Sequence, residues 1–199
     1  MTEPVPAPEV LAALVEEATR KSAVLWLDYD GLDRPRPAWH VWHDGAAYVV
    51  TERSENASDD APAGNAHGGR TQGATEQRLP GLAAARTATV TCRSKETRAR
   101  IVTWRAEVRA LTPETPEWQD ALKALRGERL NATDAERLPE RWAATATIVR
   151  LIPTGEVLEG PGQMPTEPGA AAPPDTPALT SGRLPWVVHK RPRTRPRLS

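Results

Sequence analysis

The pattern of apolar residues predicts a mainly β (α+β) fold, a small barrel of about six antiparallel strands with helices at its periphery. The dipeptide Asp44-Gly45 separates two strand-like runs, residues 38–43 and 46–51. Asp-Gly readily adopts the positive φ angles of a two-residue hairpin turn, so these runs predict a β-hairpin. Short turns also join most of the other strand-like runs, whereas a parallel sheet needs long helical crossovers.

The elements before and after the hairpin follow from periodicity. Residues 8–20 repeat apolar side chains at three- and four-residue steps, which predicts an amphipathic helix. Residues 23–27 form an apolar run that ends at Asp30-Gly31, which is typical of a strand buried on both faces. Residues 53–78 are rich in Ser, Asn, Asp, Gly, Ala and Pro and have little to bury, so we predict a disordered surface loop.

Capping residues predict two further helices in the second half of the chain. Thr115 followed by Pro116 is typical of a helix start. Thr133 and Glu136 have capping-box spacing for a short third helix, which Pro139 is expected to interrupt. The remaining predicted elements are a helical turn at residues 79–85 and strands at 87–93, 99–111 and 147–152.

The charge is distributed unevenly, although the 199 residues carry 26 basic and 26 acidic side chains. Residues 182–199 hold six basic and no acidic side chains, and the rest of the chain holds 20 basic and 26 acidic ones, a balance of −6. We predict that the Pro/Arg-rich tail, residues 160–199, folds back on the acidic body or is disordered. Nucleic-acid binding by the tail is less favoured, since it has no aromatic residue beyond Trp186.

Several classes of site are excluded by composition. The single cysteine, Cys92, rules out an intrachain disulfide and a cysteine-based metal site. The four histidines have no metal-ligand spacing with a carboxylate, so no metal is predicted. The sequence has no apolar leader and no stretch of roughly 20 apolar residues, which indicates a soluble cytoplasmic protein without membrane contact. It also lacks the nucleophile and nucleotide-loop motifs of hydrolases, kinases and dehydrogenases.

The order of elements, together with four stretches of sequence, resembles the pyridoxamine 5'-phosphate oxidase-like, or FMN-binding split-barrel, family, particularly its small actinobacterial members. The similar stretches are residues 22–27, 37–45, 76–82 and 129–131. The resemblance covers about residues 9–159 and implies that residues 1–159 form a split β-barrel domain. It also implies a homodimer that binds flavin mononucleotide (FMN) in a groove between two barrels, lined by the hairpin and the two strands that follow it.

Residues at the turn after the strand at 87–93 are candidates for binding the FMN phosphate. Arg93, Ser94 and Lys95, followed by Arg98 and Arg100, place several cations and one hydroxyl at a hairpin tip. A phosphate prefers this combination, because charged hydrogen bonds to it are strong. The alternative is a solvated turn of charged residues.

Five further residues are candidate cofactor contacts. His40 and Trp42 share one face of their strand and would either cover the flavin ring or pack the barrel. Thr51 and Gln77 would bind the phosphate or the ring, or else water and backbone groups. Trp104 lies on the apolar face of the long strand and would contact the cofactor or the core. The remaining tryptophans to which we assign a packing role are Trp26, Trp118 and Trp142.

The family resemblance therefore implies an FMN-dependent oxidoreductase that acts on a small-molecule substrate which the sequence does not identify. The flavin itself carries electrons or hydride in such proteins, so no catalytic side chain is assigned. The alternative is a non-catalytic protein that binds flavin, a deazaflavin or haem. A haem iron would be bound through His40 or His43.

Overall fold

The computed structural model describes residues 7–53, 76–129, 136–161 and 163. It confirms a mainly β fold with peripheral helices. The helices are α1 (Pro8–Lys21), α2 (Pro116–Glu128) and α3 (Leu138–Thr145), and a 3₁₀ helix spans Leu82–Ala84. The strands are β1 (Leu25–Asp28), β2 (Arg36–Ala38), β3 (Val41–His43), β4 (Ala46–Glu52), β5 (Thr87–Arg93), β6 (Arg100–Ala110) and β7 (Ala146–Glu159). Some predicted features lie outside the described residues. These are most of the predicted loop at 53–78, the cap at Thr133 and nearly all of the tail.

The seven strands form one antiparallel sheet in the order β2-β1-β5-β6-β7-β4-β3. Strands β2 and β3 are the two edges of this sheet, yet only Trp39 and His40 connect them. Three Cα–Cα steps of 3.8 Å span at most about 11 Å, so the sheet must curl until its edges approach each other. The result is a split β-barrel, and we call the connection Trp39-His40 between its edges the seam.

The seam divides a run that the sequence predicted as one strand. Residues 38–43 do not form a continuous strand, because Ala38 pairs with β1 whereas Val41 pairs with β4. The hairpin turn itself is confirmed. Asp44 and Gly45 have φ angles of 45° and 69°, as a two-residue turn with positive φ at both positions requires.

The sheet packs two apolar cores, one on each side. The inner core fills the barrel with side chains from β1, β5 and β6, and α1 contributes Val15 and Ala18 to it. The outer core lies between β3, β4 and β7 on one side and α2 and α3 on the other. The buried outer-core residues are Val41, Ala46, Tyr48, Val50, Leu111, Trp118, Ala121, Leu122, Leu125, Leu138, Trp142, Ala146 and Ile148.

Strand β1 is buried on one face only, so the prediction of a strand buried on both faces is wrong. Leu25 and Leu27 point into the barrel and are fully buried, whereas Trp26 between them is partly exposed. The helices α2 and α3 pack on the outer core instead and leave the outer face of β1 accessible in the described part of the chain.

The start of α2 agrees with its predicted cap, whereas α3 begins at Leu138 with Arg137 as N-cap, later than the predicted capping box of Thr133 and Glu136 indicates. Thr115 Oγ1 accepts a hydrogen bond from the Trp118 backbone N–H at 3.3 Å and so caps α2. Pro139 does not interrupt α3 but lies in its first turn, where a missing N–H costs no intrahelical hydrogen bond. Strand β7 continues beyond the predicted residue 152 to Glu159. None of the described helices combines the length and the apolar character that crossing a bilayer requires.

Candidate functional site

The turn between β5 and β6, residues 93–100, forms what we call the basic tip. The Ser94 backbone N–H donates to the Ala99 carbonyl at 2.9 Å, which closes the turn. Ser94 Oγ accepts hydrogen bonds from the backbone N–H groups of Glu96 (3.3 Å) and Thr97 (3.2 Å). Because Ser94 Oγ serves as an acceptor in both contacts, its hydroxyl hydrogen remains available for an anion.

Three cations of the basic tip have no carboxylate partner among the described residues. Arg93, Lys95 and Arg98 form no ion pair there, although Glu96 lies in the same turn. Arg100, by contrast, lies 3.8 Å from the Glu159 carboxylate. The basic tip therefore concentrates positive charge that the described acidic side chains leave uncompensated, which is the condition for attracting a phosphate group.

The basic tip adjoins an aromatic side chain on the outside of the barrel. The Arg93 guanidinium carbon lies 4.8 Å from the centroid of the Trp26 ring, a cation–π distance. Thr91 is the neighbour of Trp26 on β5, and its Oγ1 lies 3.2 Å from Thr103 Oγ1. Thr103 in turn donates to Glu159 Oε2 at 3.0 Å. These contacts line up an indole ring and two hydroxyls beside the basic tip.

We call the outward-facing side of β1, β5 and β6 the open face. Its side chains are partly exposed except that of Thr103, and α2 and α3 pack on the other half of the sheet. The sequence analysis assigned Trp26 to packing and gave the threonines no role. The alternation of Thr with buried residues along β5 was the signal that could have identified this face. The outward side chains that define it are Trp26, Thr89, Thr91, Thr103 and Arg105.

His40 lies inside the fold between α1 and the basic tip. Its side chain is 8% exposed, and its Nε2 lies 2.8 Å from the Thr19 carbonyl oxygen in the last turn of α1. Burial lowers the pKa of His40, the hydrogen bond to Thr19 opposes this shift, and the charge of Lys95 adds to the lowering. His40 Nε2 is therefore engaged in an internal hydrogen bond, whereas the buried Nδ1 has no partner among the described residues.

The two candidate tryptophans pack in the barrel. Trp104 is 1% exposed within the inner core, and Trp42 packs partly buried against the same core. On the opposite side of this segment, Trp39 and Val41 pack against the outer core. Both faces of the segment around the seam thus contribute to packing, and a role of His40 or Trp42 in covering a flavin stays a prediction.

Thr51 and Gln77 come together at the seam. The Gln77 amide side chain accepts from the Trp39 N–H at 2.8 Å and donates to the Trp39 carbonyl at 3.0 Å. Thr51 Oγ1 accepts from the Leu79 N–H at 3.1 Å. Gln77 also forms a parallel bridge with Thr51, so this end of the predicted loop is part of the sheet. The hydrogen bonds among the described residues link Thr51 and Gln77 to the seam and not to the basic tip.

A polar cleft of about 330 Å³ lies at the C-terminal end of β1, at the other end of this strand from Arg93. Asp28, Asp30, Thr87, Thr89 and Arg105 contribute to its lining. Its volume is at the lower limit for ligand pockets, and its two aspartates would repel an anionic group. This cleft is therefore a poorer site for a phosphate-bearing cofactor than the basic tip.

No family model and no curated protein matches the chain. Solved structures that resemble it include HutZ, the heme storage protein from Vibrio cholerae, with a TM-score of 0.46 and 15% identity over 74% of this chain and 92% of that one. A protein described as general stress protein 26 from Jannaschia sp. CCS1 has a TM-score of 0.44 and 13% identity over 73% and 74%. A NimC/NimA family protein from Clostridium acetobutylicum has a TM-score of 0.38 and 13% identity over 72% and 80%. The fold assignment rests on the strand order, not on these values.

Proposed function

We propose that the chain is a homodimeric FMN-binding protein that works as an oxidoreductase on a small-molecule substrate. The observation that carries this proposal is the basic tip: Arg93, Lys95 and Arg98 have no ion-pair partner among the described residues, and Arg93 lies against the partly exposed indole ring of Trp26. A phosphate group and a planar aromatic ring on one ligand would match these two features.

The basic tip fits the phosphate end of FMN. Arg93 and Lys95 supply cations, and the Ser94 hydroxyl supplies a further donor. Arg93 Nε is buried and has no hydrogen-bond partner among the described residues, so an internal carboxylate does not already occupy this guanidinium. A dianionic phosphate would compensate the charge that the described residues leave unpaired.

The open face fits the ring end of FMN and a second copy of the chain. Trp26 offers one aromatic surface, and a second barrel placed on the open face would supply another wall and exclude water. FMN, when bound, supplies the transfer of electrons or hydride. The residues of this chain would bind and orient it, and the partly exposed Thr91 lies beside Trp26 on the face that the ring would occupy.

The proposal is tested with the purified full-length protein. We expect a flavin absorption spectrum, or quenching of added FMN fluorescence, together with a dimer mass in light scattering. The double variant Arg93→Ala, Lys95→Ala removes two charged contacts and should weaken FMN binding about 10–100-fold. Arg109→Ala is the matched control, because Arg109 is exposed near the other end of β6 and pairs with Glu107. Wild-type FMN affinity in the double variant, or a monomer that does not bind FMN, contradicts the proposal.

A second candidate function keeps the cofactor without the catalysis: storage or transport of flavin, a deazaflavin or haem. Among the two histidines considered for haem, His43 is exposed whereas His40 is engaged with Thr19. Haem binding through His43 would give a Soret band that His43→Ala shifts. If bound flavin is neither reduced by pyridine nucleotides nor reoxidised by oxygen or quinones, the binding function is favoured over the oxidoreductase.

A further inference from the structure

Glu76 is a buried carboxylate, and the donors that approach it include three side chains of the described residues. Its side chain is 5% exposed. Arg129 Nη1 donates to its Oε2 at 2.7 Å, and its Oε1 accepts from Arg141 Nη1 at 3.0 Å and from Trp142 Nε1 at 2.8 Å. Arg129 caps the C-terminus of α2, and the other two donors belong to α3.

The tryptophan rings and the helices hold these donors in position. The Arg129 guanidinium carbon lies 5.3 Å from the Trp142 ring centroid and 5.9 Å from that of Trp39. Trp142 is itself fully buried in the outer core. Each oxygen of the carboxylate thus accepts from a guanidinium group, and one of them also accepts from an indole N–H. Such an arrangement recognises carboxylates specifically.

We propose that Arg129, Arg141 and Trp142 form a carboxylate-binding site whose resident ligand is Glu76, and that its occupation holds Gln77 in the seam. Glu76 and Gln77 are adjacent, so their Cα atoms are 3.8 Å apart. The Glu76 contact therefore anchors the residue whose side chain satisfies both backbone groups of Trp39. The site therefore links α2 and α3 to the seam between the two edges of the barrel. The proposal is independent of FMN binding.

The site differs from a surface ion pair in the consequence of removing its carboxylate, Glu76. Without Glu76, two half-buried guanidinium groups and a buried indole N–H lose a shared acceptor, which is costly for groups away from water. A free carboxylate small enough to enter would restore it. Glu117 offers the contrast, because it is 39% exposed and its carboxylate accepts from one arginine, Arg150, at 2.7 Å.

The test uses the full chain with Glu76→Ala and sodium formate, at ionic strength matched with sodium chloride. Formate should bind saturably and raise the Tm of this variant by about 3–6 °C at ten times its Kd. Hydrogen exchange at the Trp39 amide should be faster in the variant and slow again with formate. Wild type, in which Glu76 fills the site, and Glu117→Ala, the control, should show no saturable rise.

The proposal is overturned if formate and chloride affect the Tm of Glu76→Ala equally, or if wild type or Glu117→Ala responds as strongly. If Glu76→Ala does not fold in chloride, the same comparison is made by refolding. The proposal then expects a native circular dichroism spectrum in formate only, and an unfolded spectrum in both salts overturns it.

Discussion

The two halves of the sheet differ on their outer sides. On β3, β4 and β7 the outward side chains include Tyr48, Val50 and Ile148, and α2 and α3 bury them. On β1, β5 and β6 the outward side chains are Trp26, three threonines and an arginine, and most are partly exposed. One half is an ordinary sheet–helix core, whereas the other keeps polar and aromatic groups accessible next to the basic tip.

The sequences of two central strands account for this difference. Strand β4 is buried at its first six positions, because both of its faces meet a core. Strand β5 alternates Thr87, Thr89 and Thr91 with Ala88, Val90 and Cys92, and only the second set is buried. Within the described residues, α2 and α3 pack on the other half of the sheet and leave this face of β5 accessible, and a ligand or second subunit can bind such a face.

The largest expected effect comes from the covered half. Leu125→Ala removes a fully buried side chain from the outer core and should lower the free energy of unfolding by about 2–5 kcal/mol. Thr89→Ala on the open face should lower it by less than about 1 kcal/mol. Urea unfolding of both variants measures the difference. Equal losses of unfolding free energy in the two variants would mean that the two outer faces contribute alike to stability, which contradicts the difference drawn between them.

A smaller effect is expected at the seam, where the two halves meet. Gln77→Ala removes both hydrogen bonds to the Trp39 backbone and should cost about 1–3 kcal/mol, because partly buried polar groups lose their partners. Gln119→Ala, at an exposed position of α2, is the control and should change stability by less than about 0.5 kcal/mol. Unchanged stability and unchanged exchange of the Trp39 amide in Gln77→Ala would show that the seam does not depend on this side chain.

Local chemistry predicted the parts of the fold that depend on local contacts. The turn at Asp44-Gly45 and the cap at Thr115 are each set by neighbouring residues, and both were correct. The break at the seam was not predicted, because the apolar run gives no sign that Ala38 and Val41 pair with different strands. Strand partners are long-range contacts that periodicity does not encode.

The candidate site was predicted only in part, because some of its residues are far apart in the sequence and meet through strand pairing. The basic tip was identified because its cations lie within eight residues of one another in the sequence, and its role in binding phosphate stays a prediction. Trp26 was missed as its neighbour, since 67 residues separate it from Arg93 and only the pairing of β1 with β5 brings them together. Glu76 was placed in a polar loop, because a carboxylate is expected to be exposed unless distant arginines approach it.

The smallest expected effect is a pH dependence that His40 adds near the seam. The pKa of His40 is lowered from 6.5 in the folded protein, chiefly by burial. The unfolded chain therefore binds a proton at a higher pH than the folded one, so this contribution to stability is complete above pH 6.5 and decreases as the pH falls below it. Urea midpoints at pH 7.5 and 5.5 measure this loss. His40→Gln should reduce it, because the substitution removes the group that the unfolded chain protonates.

His43 provides the control that separates this effect from the general response to acid. It is exposed on β3, so His43→Gln should keep the full pH dependence of the wild type. Carboxylates that titrate below pH 5 contribute equally to all three proteins and cancel in the comparison. If His40→Gln keeps the wild-type pH dependence as well, His40 is not the group responsible. The contact of His40 with the Thr19 carbonyl of α1 would then add no pH dependence of its own to the stability of the protein.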